Sequence, residues 1–335
     1  MPGSPVIDPA PDAVAALLAR DGHADIAVSG LSALSGGAAS ATYAVATTRA
    51  GVPWPLILQR AAAGSVGHGS LPKADQAALQ SLAGNAGIPV ARVVAVLAPG
   101  DGLGEGFVME AVAGEALAPR WLRGDTFATA RARMTGQCAA VLAQLHAIPL
   151  DSVAGLALPT GRTDEALARM TAHYRSFGVN SPVFDLAFAW LAERCGTASP
   201  HAIVHGDFRS GNFIVNDAGL AAVLDWELAH LGEGAEDLGW LCVNAWRFGI
   251  WEKPVGGFGE RNELYDAYAA AGGRVDRSRA HVWEVWGTLR WGLSCLQLGD
   301  DHVSGRVLSI ERAAIGRRVS EVELDLLHLI RFGDI

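Results

Sequence analysis

Positive charge and cysteine are both in short supply in this chain of 335 residues. Lysine and arginine together number 26 against 35 aspartates and glutamates, a formal net charge of −9. That deficit argues against a non-specific nucleic-acid binder or a protein held to an anionic membrane, because each needs a basic face. The four cysteines, Cys138, Cys195, Cys242 and Cys295, are scattered without a C-x-x-C pair, a spacing that suggests neither a zinc ribbon nor a disulfide framework. No apolar run approaches the ~20 residues that a membrane-spanning helix needs. The first twelve residues lack the basic and apolar regions of a secretory signal. Internal repeats and low-complexity linkers are missing too. These absences predict a cytoplasmic protein with no nucleic-acid and no membrane partner, and nothing in the chain sets an oligomeric state.

What is present is material for real cores: half of the residues are hydrophobic, and 40 are glycine. The length fits two compact lobes or one large domain. Up to about residue 109 the pattern is β-rich, with a hairpin over 31–50, strands over 55–60, 90–97 and 107–112, and helices over 12–20 and 73–83, the first with Asp12 as its N-cap. Beyond residue 115 helical periodicity dominates, over 127–148, 163–177, 185–195, 236–246, 260–271, 279–298 and 309–330. The predicted fold class is therefore α+β: a small antiparallel lobe over 1–109, a hinge over 110–115, and a larger helical lobe over 116–335. Two unequal lobes on one hinge bury ligands in the cleft between them.

A β interlude over 203–224 carries the chemistry. It reads His205-Gly206-Asp207-Phe208-Arg209-Ser210-Gly211-Asn212, then a hairpin turning at residues 216–219, then Asp225-Trp226-Glu227. Pairing Val215 with Leu220 sets Asn212 opposite Val223, so Asn212 and Asp225 emerge side by side, with Asp207 on the loop entering the same end. Two carboxylates and an amide form an oxygen-rich set suited to Mg²⁺. Phosphoryl transfer asks for such a set: a base for the attacking hydroxyl, and metal ligands beside the phosphates. Protein kinases place the base and a metal-binding Asn five residues apart, then a metal-binding Asp, and Asp207, Asn212 and Asp225 follow that order. A competing pattern, His201 and His205 with Asp207, could suggest a metal cluster. Along a strand, however, four residues span roughly 13 Å, too far for one ion.

The segment from His205 to Asn212, with Leu224-Asp225-Trp226-Glu227 and Glu236-Asp237-Leu238, resembles the aminoglycoside phosphotransferase family of kinase-like enzymes. It is most similar to the branch that includes kinase domains fused to some acyl-CoA dehydrogenases. The resemblance runs from about Leu34 to about Leu298 and implies a bilobal protein-kinase-like fold. It implies Mg²⁺-dependent transfer of the γ-phosphate of ATP or GTP to a hydroxyl of a small molecule, an aminoglycoside or another hydroxylated metabolite. Asp207 would be the catalytic base, Asn212 and Asp225 the Mg²⁺ ligands, and Arg209 the holder of the transferred phosphate. His205 and Asp237 would brace the catalytic loop. Backbone groups of Glu110 and Val112 would hold the nucleobase, and N–H groups of Gly36, Gly37 and Ala38 its phosphates.

The chain departs from the family at one informative place. The family's basic residue ending the third strand, and the Glu it pairs with on the next helix, align with Gln59 and Gln76. Two amides can hydrogen-bond but bring no positive charge to the phosphates, whereas a one-residue register shift would present Arg60. That departure motivates an alternative, a nucleotide-binding pseudokinase with a regulatory or scaffold role. Three further features are read as follows. Trp283, Trp286 and Trp291 are expected to form a core face; Glu227, Glu233 and Glu236 either a solvated loop or an acidic rim; and His146 a capping or packing residue.

Overall fold

The computed structural model describes residues 9–34, 40–62, 70–197 and 200–333. The first helix, α1 (Pro11–Arg20), starts one residue earlier than the pattern suggests, because Pro11 takes the first helical position and leaves Asp12 in the first turn. Strands β1 (Ile26–Leu34), β2 (Ser40–Arg49), β3 (Val52–Pro53) and β4 (Leu56–Ala61) follow, then α2 (Lys73–Asn85), β5 (Val93–Val96) and β6 (Gly106–Glu110). They form an antiparallel sheet in the order β1-β2-β4-β6-β5, with β3 on β2. Alternation along β4 sends Leu56 and Leu58 into one core with Val14, Val45 and Val108. It sends Ile57 to the opposite face, beside Ala77 of α2, Phe107 and Met109. Helix α2 is therefore shared: Ala77 packs on the sheet, while Leu79 and Ala83 join the core of the helical part of the chain.

That part contains α3 (Ala118–Leu122), α4 (Ala128–His146), α5 (Thr163–Ser176), α6 (Pro182–Arg194), β7 (Ala202–Val204), β8 (Phe213–Asn216), β9 (Gly219–Val223) and β10 (His230–Gly232). It continues through α7 (Ala235–Cys242), α8 (Arg261–Ala270), α9 (Arg277–Val303), α10 (Ile310–Gly316) and α11 (Val319–Phe332). The single helix expected over 309–330 is two, α10 and α11, and the one expected over 236–246 stops at Cys242. Trp283 and Trp286 lie in a buried cluster with Phe184 and Leu326, as a core face requires. No helix among the described residues is long and apolar enough to cross a membrane. All four cysteines are buried and unpaired.

The hairpin β8–β9 differs from its expected register by one residue. Val215 does face Leu220, but a bulge between Ile214 and Val215 then sets Ile214 opposite Ala222 and Phe213 opposite Val223. Asn212 consequently meets Leu224, whose N–H donates to its carbonyl at 2.8 Å, one step nearer to Asp225. Gln137 of α4 pins the turn by accepting from Leu220 N–H at 2.9 Å and donating to the Ala218 carbonyl at 3.0 Å.

Candidate active site

The loop after β7 is built on Asp237, a fully buried carboxylate on α7. Its Oδ2 accepts from the His205 N–H at 2.8 Å and its Oδ1 from the Gly206 N–H at 3.0 Å. His146 adds a bond from Nε2 at 3.2 Å and reaches the Tyr268 hydroxyl through Nδ1 at 2.8 Å. His146 is thus part of the brace and does more than pack. Gly206 has φ +76°, and a Cβ there would lie 2.4 Å from the Leu228 carbonyl oxygen. Only glycine fits this turn. The Gly206 carbonyl in turn accepts from Arg290 of α9 at 2.7 Å. His205 closes the loop from inside: its Nδ1 accepts from the Asp207 N–H at 3.2 Å, so Nε2 carries the proton donated to the Leu224 carbonyl at 3.1 Å. Burial holds this imidazole below its ordinary pKa, in keeping with a neutral ring.

Asp207 projects from this scaffold with only 9% of its surface exposed. Arg209 Nε donates to both of its oxygens, at 3.0 and 3.1 Å. Asn212 Nδ2 donates to Oδ2 at 2.6 Å and to the Asp207 carbonyl at 2.9 Å, and Trp240 Nε1 donates to Oδ1 at 2.9 Å. Arg209 itself stacks over Trp246 at 4.5 Å, and Arg290 over Trp240 at 3.7 Å. The carboxylate is therefore oriented by three donors.

Asp225 follows β9 with φ +66°, a left-handed conformation that aspartate tolerates better than most residues. Burial, Glu227 and Asp207 together push its carboxyl up to about 7, against the opposing pull of Lys73 and Arg209. Crowded, half-buried negative charge of this kind is what a divalent cation relieves. Among the described residues no group of three or more His, Cys, Asp or Glu converges as a complete metal cage. Mg²⁺ needs less, since it is commonly held through one or two side chains, with substrate phosphates and water completing the shell. The donor set of Asp225 and Asn212 fits that mode.

Other expected positions separate. Gly36, Gly37 and Ala38 lie outside the described residues. Gln59 sits on the face of β4 that carries Ile57 toward α2, while Arg60 points to the other face, against Gly104. The register that would have turned Arg60 toward α2 is not adopted. Gln76 is buried, but its partners are the Leu71 carbonyl at 2.5 Å and Lys73 Nζ at 3.0 Å. Glu110 receives Trp54 Nε1 at 2.9 Å and Arg92 at 2.6 Å on its side chain, and Val112 is half-buried beside Met109. His201 and His205 bracket β7, an extended strand, as their spacing implies. Glu233 and Glu236 are buried and ion-paired, so they are not a solvated loop. Glu233 pairs with Arg279, and Glu236 with His230 at 3.1 Å and Arg290 at 3.6 Å.

Sequence reasoning missed Lys73, Trp240 and Arg290. Only Lys73 carried a compositional signal, because the chain has just two lysines, Lys73 and Lys253. Lys73 Nζ is buried at the first position of α2, donates to Ser40 Oγ at 2.7 Å and stands 4.0 Å from Glu227.

His230 supports the loop from behind and makes a pH test. Its Nδ1 approaches the Leu228 carbonyl at 2.9 Å and its Nε2 approaches Glu236. Burial opposes its charge, but Glu236 and the Leu228 carbonyl outweigh that and push its pKa up to about 9. A raised pKa stabilises the fold fully below the unfolded value of about 6.5, and the gain is lost as pH rises through 9, on the order of 3 kcal/mol. Unfolding free energies at pH 6 and pH 9.5 should therefore fall more steeply for the wild type than for His230→Gln.

Comparison with known proteins places the fold. The profile of the phosphotransferase enzyme family, also called APH, matches residues 30–274. A mouse protein, acyl-CoA dehydrogenase family member 10, is 30% identical over 110 residues, which is 31% of this chain. The match covers 10% of that longer protein. A Ralstonia eutropha protein assigned as an aminoglycoside phosphotransferase superposes with TM-score 0.69 at 19% identity, covering 93% of this chain and 95% of that one. The GDP complex of aminoglycoside 2'-phosphotransferase-IIIa superposes with TM-score 0.64 at 12% identity, covering 94% and 99%. Macrolide 2'-phosphotransferase from Brachybacterium faecium superposes with TM-score 0.60 at 20% identity, covering 93% and 97%.

Proposed function

This chain belongs to the phosphotransferase enzyme family, and from that membership we propose that it is a small-molecule kinase, moving the γ-phosphate of ATP or GTP to a hydroxyl of a metabolite in the cytoplasm. The observation that carries the reading is the Asp207 carboxylate, held by Arg209, Asn212 and Trp240 at the mouth of a loop braced on Asp237. An acceptor hydroxyl resting on Asp207 would hand its proton to the carboxylate as its oxygen attacks the γ-phosphorus and the bond to the leaving diphosphate opens. Arg209, already beside the base, would lie against the phosphoryl group in transit and offset its charge. Asn212 and Asp225 would hold Mg²⁺, which supplies charge neutralisation between the phosphates. Backbone groups of Glu110 and Val112 would hold the nucleobase, and N–H groups of Gly36, Gly37 and Ala38 the phosphates. The GDP-bound relatives support the use of a nucleotide.

The acceptor class is open to a direct measurement. A panel of hydroxylated compounds (aminoglycosides, macrolides, amino alcohols and hydroxyacyl thioesters) should contain at least one that raises ADP or GDP release over the basal rate in a Mg²⁺-dependent way. The same compound should gain one phosphate by mass spectrometry. Nucleotide turnover that no hydroxyl compound stimulates, and that persists after chelation, would count against the reading.

A further inference from the structure

Lys73 is placed where folding alone gives little reason for a cation. Its side chain is almost completely buried, so the ammonium is stripped of water. It stands at the N-terminal end of α2, where the helix dipole disfavours positive charge. Its hydrogen bonds go to two neutral acceptors, Ser40 Oγ at 2.7 Å and Gln76 Oε1 at 3.0 Å, while the nearest carboxylate, on Glu227, stays at 4.0 Å. A well-packed apolar residue would satisfy this position at lower cost. The chain, moreover, uses lysine only twice, and Lys253 is a surface residue paired with Glu260.

The surroundings name what would compensate the charge. Ser40 opens β2, two residues after Ala38 in the sequence, and Glu227 lies two residues beyond Asp225. Lys73 therefore bridges the start of β2, at Ser40, and the segment that follows Asp225, at Glu227. Gln59, on the face of β4 turned toward α2, brings no charge, Arg60 is turned away, and Arg209, beside Asp207, is placed to serve the phosphoryl group in transit and not the phosphates that stay on the nucleotide. Resting on the kinase reading above, we propose that Lys73 is the phosphate-binding cation of the nucleotide site, reaching in from the first turn of α2 in place of a strand-borne basic residue. A compact ammonium suits a point contact to phosphate oxygens in a tight site better than the broader guanidinium used elsewhere in the chain.

Equilibrium binding separates this role from a structural brace. Titrate wild type and Lys73→Met by calorimetry with ATP and adenosine in Mg²⁺ buffer, and with GTP and guanosine in parallel. Met keeps the side chain's length and removes its charge, so the fold should hold. The expected result is roughly 10- to 100-fold weaker triphosphate binding, the scale of one lost charge-assisted contact, with nucleoside binding unchanged. Adding Gln59→Lys to Lys73→Met should restore most of the triphosphate affinity, because position 59 lies on the face of β4 turned toward α2, the helix that carries Lys73. Triphosphate affinity that is unchanged in Lys73→Met, or that falls in step with nucleoside affinity, would overturn the inference and leave the kinase reading standing. A wild-type protein that binds neither triphosphate would overturn both.

Discussion

Asp207→Ala should lower turnover of the true acceptor by about a thousandfold, within the range that a positioned general base contributes, while leaving the fold and triphosphate binding nearly intact. The separation follows from where the carboxylate's bonds go. Its three donors, Arg209, Asn212 and Trp240, are side chains that converge on it, and none of the loop's own backbone bonds depends on it. Those run instead to Asp237, His205 and Arg290. Removing the carboxylate frees Arg209 but leaves it stacked on Trp246, so no isolated buried charge is created. In kinetic terms kcat should collapse with little change in nucleotide KM, the signature of an interaction made in the transition state. Asp207→Asn is the stricter variant: it keeps size and polarity, yet it cannot take a proton. The base assignment would be falsified if Asp207→Asn phosphorylated the true acceptor at the wild-type rate.

The parts of this site legible in sequence are those fixed by short-range spacing. Asp207 and Asn212 lie five apart on one loop, and the hairpin that returns to Asp225 is closed by a recognisable turn, so local chain geometry suffices to bring them together. The bulge at Ile214 and Val215 was not legible, because it depends on how β8 and β9 settle against α4 through Gln137. Helix α2 shows the same limit more sharply. Alignment along the chain puts amides at positions 59 and 76 and so suggests a cleft without a phosphate-binding cation, the motive for a pseudokinase reading. Only the packing of Ala77 on the sheet, with Leu79 and Ala83 in the helical core, turns Lys73 toward Ser40 and Glu227. Its arrival there is set by contacts from both parts of the chain, and no local pattern encodes them. Trp240 and Arg290 were hidden for the same reason: each reaches the loop from a helix more than thirty residues away.

Asp237→Asn should act in the opposite way to Asp207→Asn, costing stability first and activity as a consequence. Asp237 is fully buried and offers both oxygens, one to the Gly206 N–H and the other to the His205 N–H and His146. An asparagine has a single acceptor oxygen, so its amide N–H₂ must face one of these backbone donors. One buried N–H is then left without an acceptor and opposed by another donor, a loss of about 2–4 kcal/mol. The turn at Gly206 cannot relax outward to find water, since the Leu228 carbonyl and Arg290 close the other side. The pH dependence gives an independent check. Burial alone would raise the Asp237 carboxyl, but the bonds from His146 and the loop outweigh it and hold it below the ordinary aspartate range. A depressed pKa contributes stability that is present above the unfolded value, near 3.9, and disappears as pH falls through the lower folded value. Wild type should therefore be most clearly superior to Asp237→Asn at neutral pH, with the gap in unfolding free energy narrowing toward pH 3. A gap that stays constant across that range would mean that the charge on Asp237 is not what holds the catalytic loop.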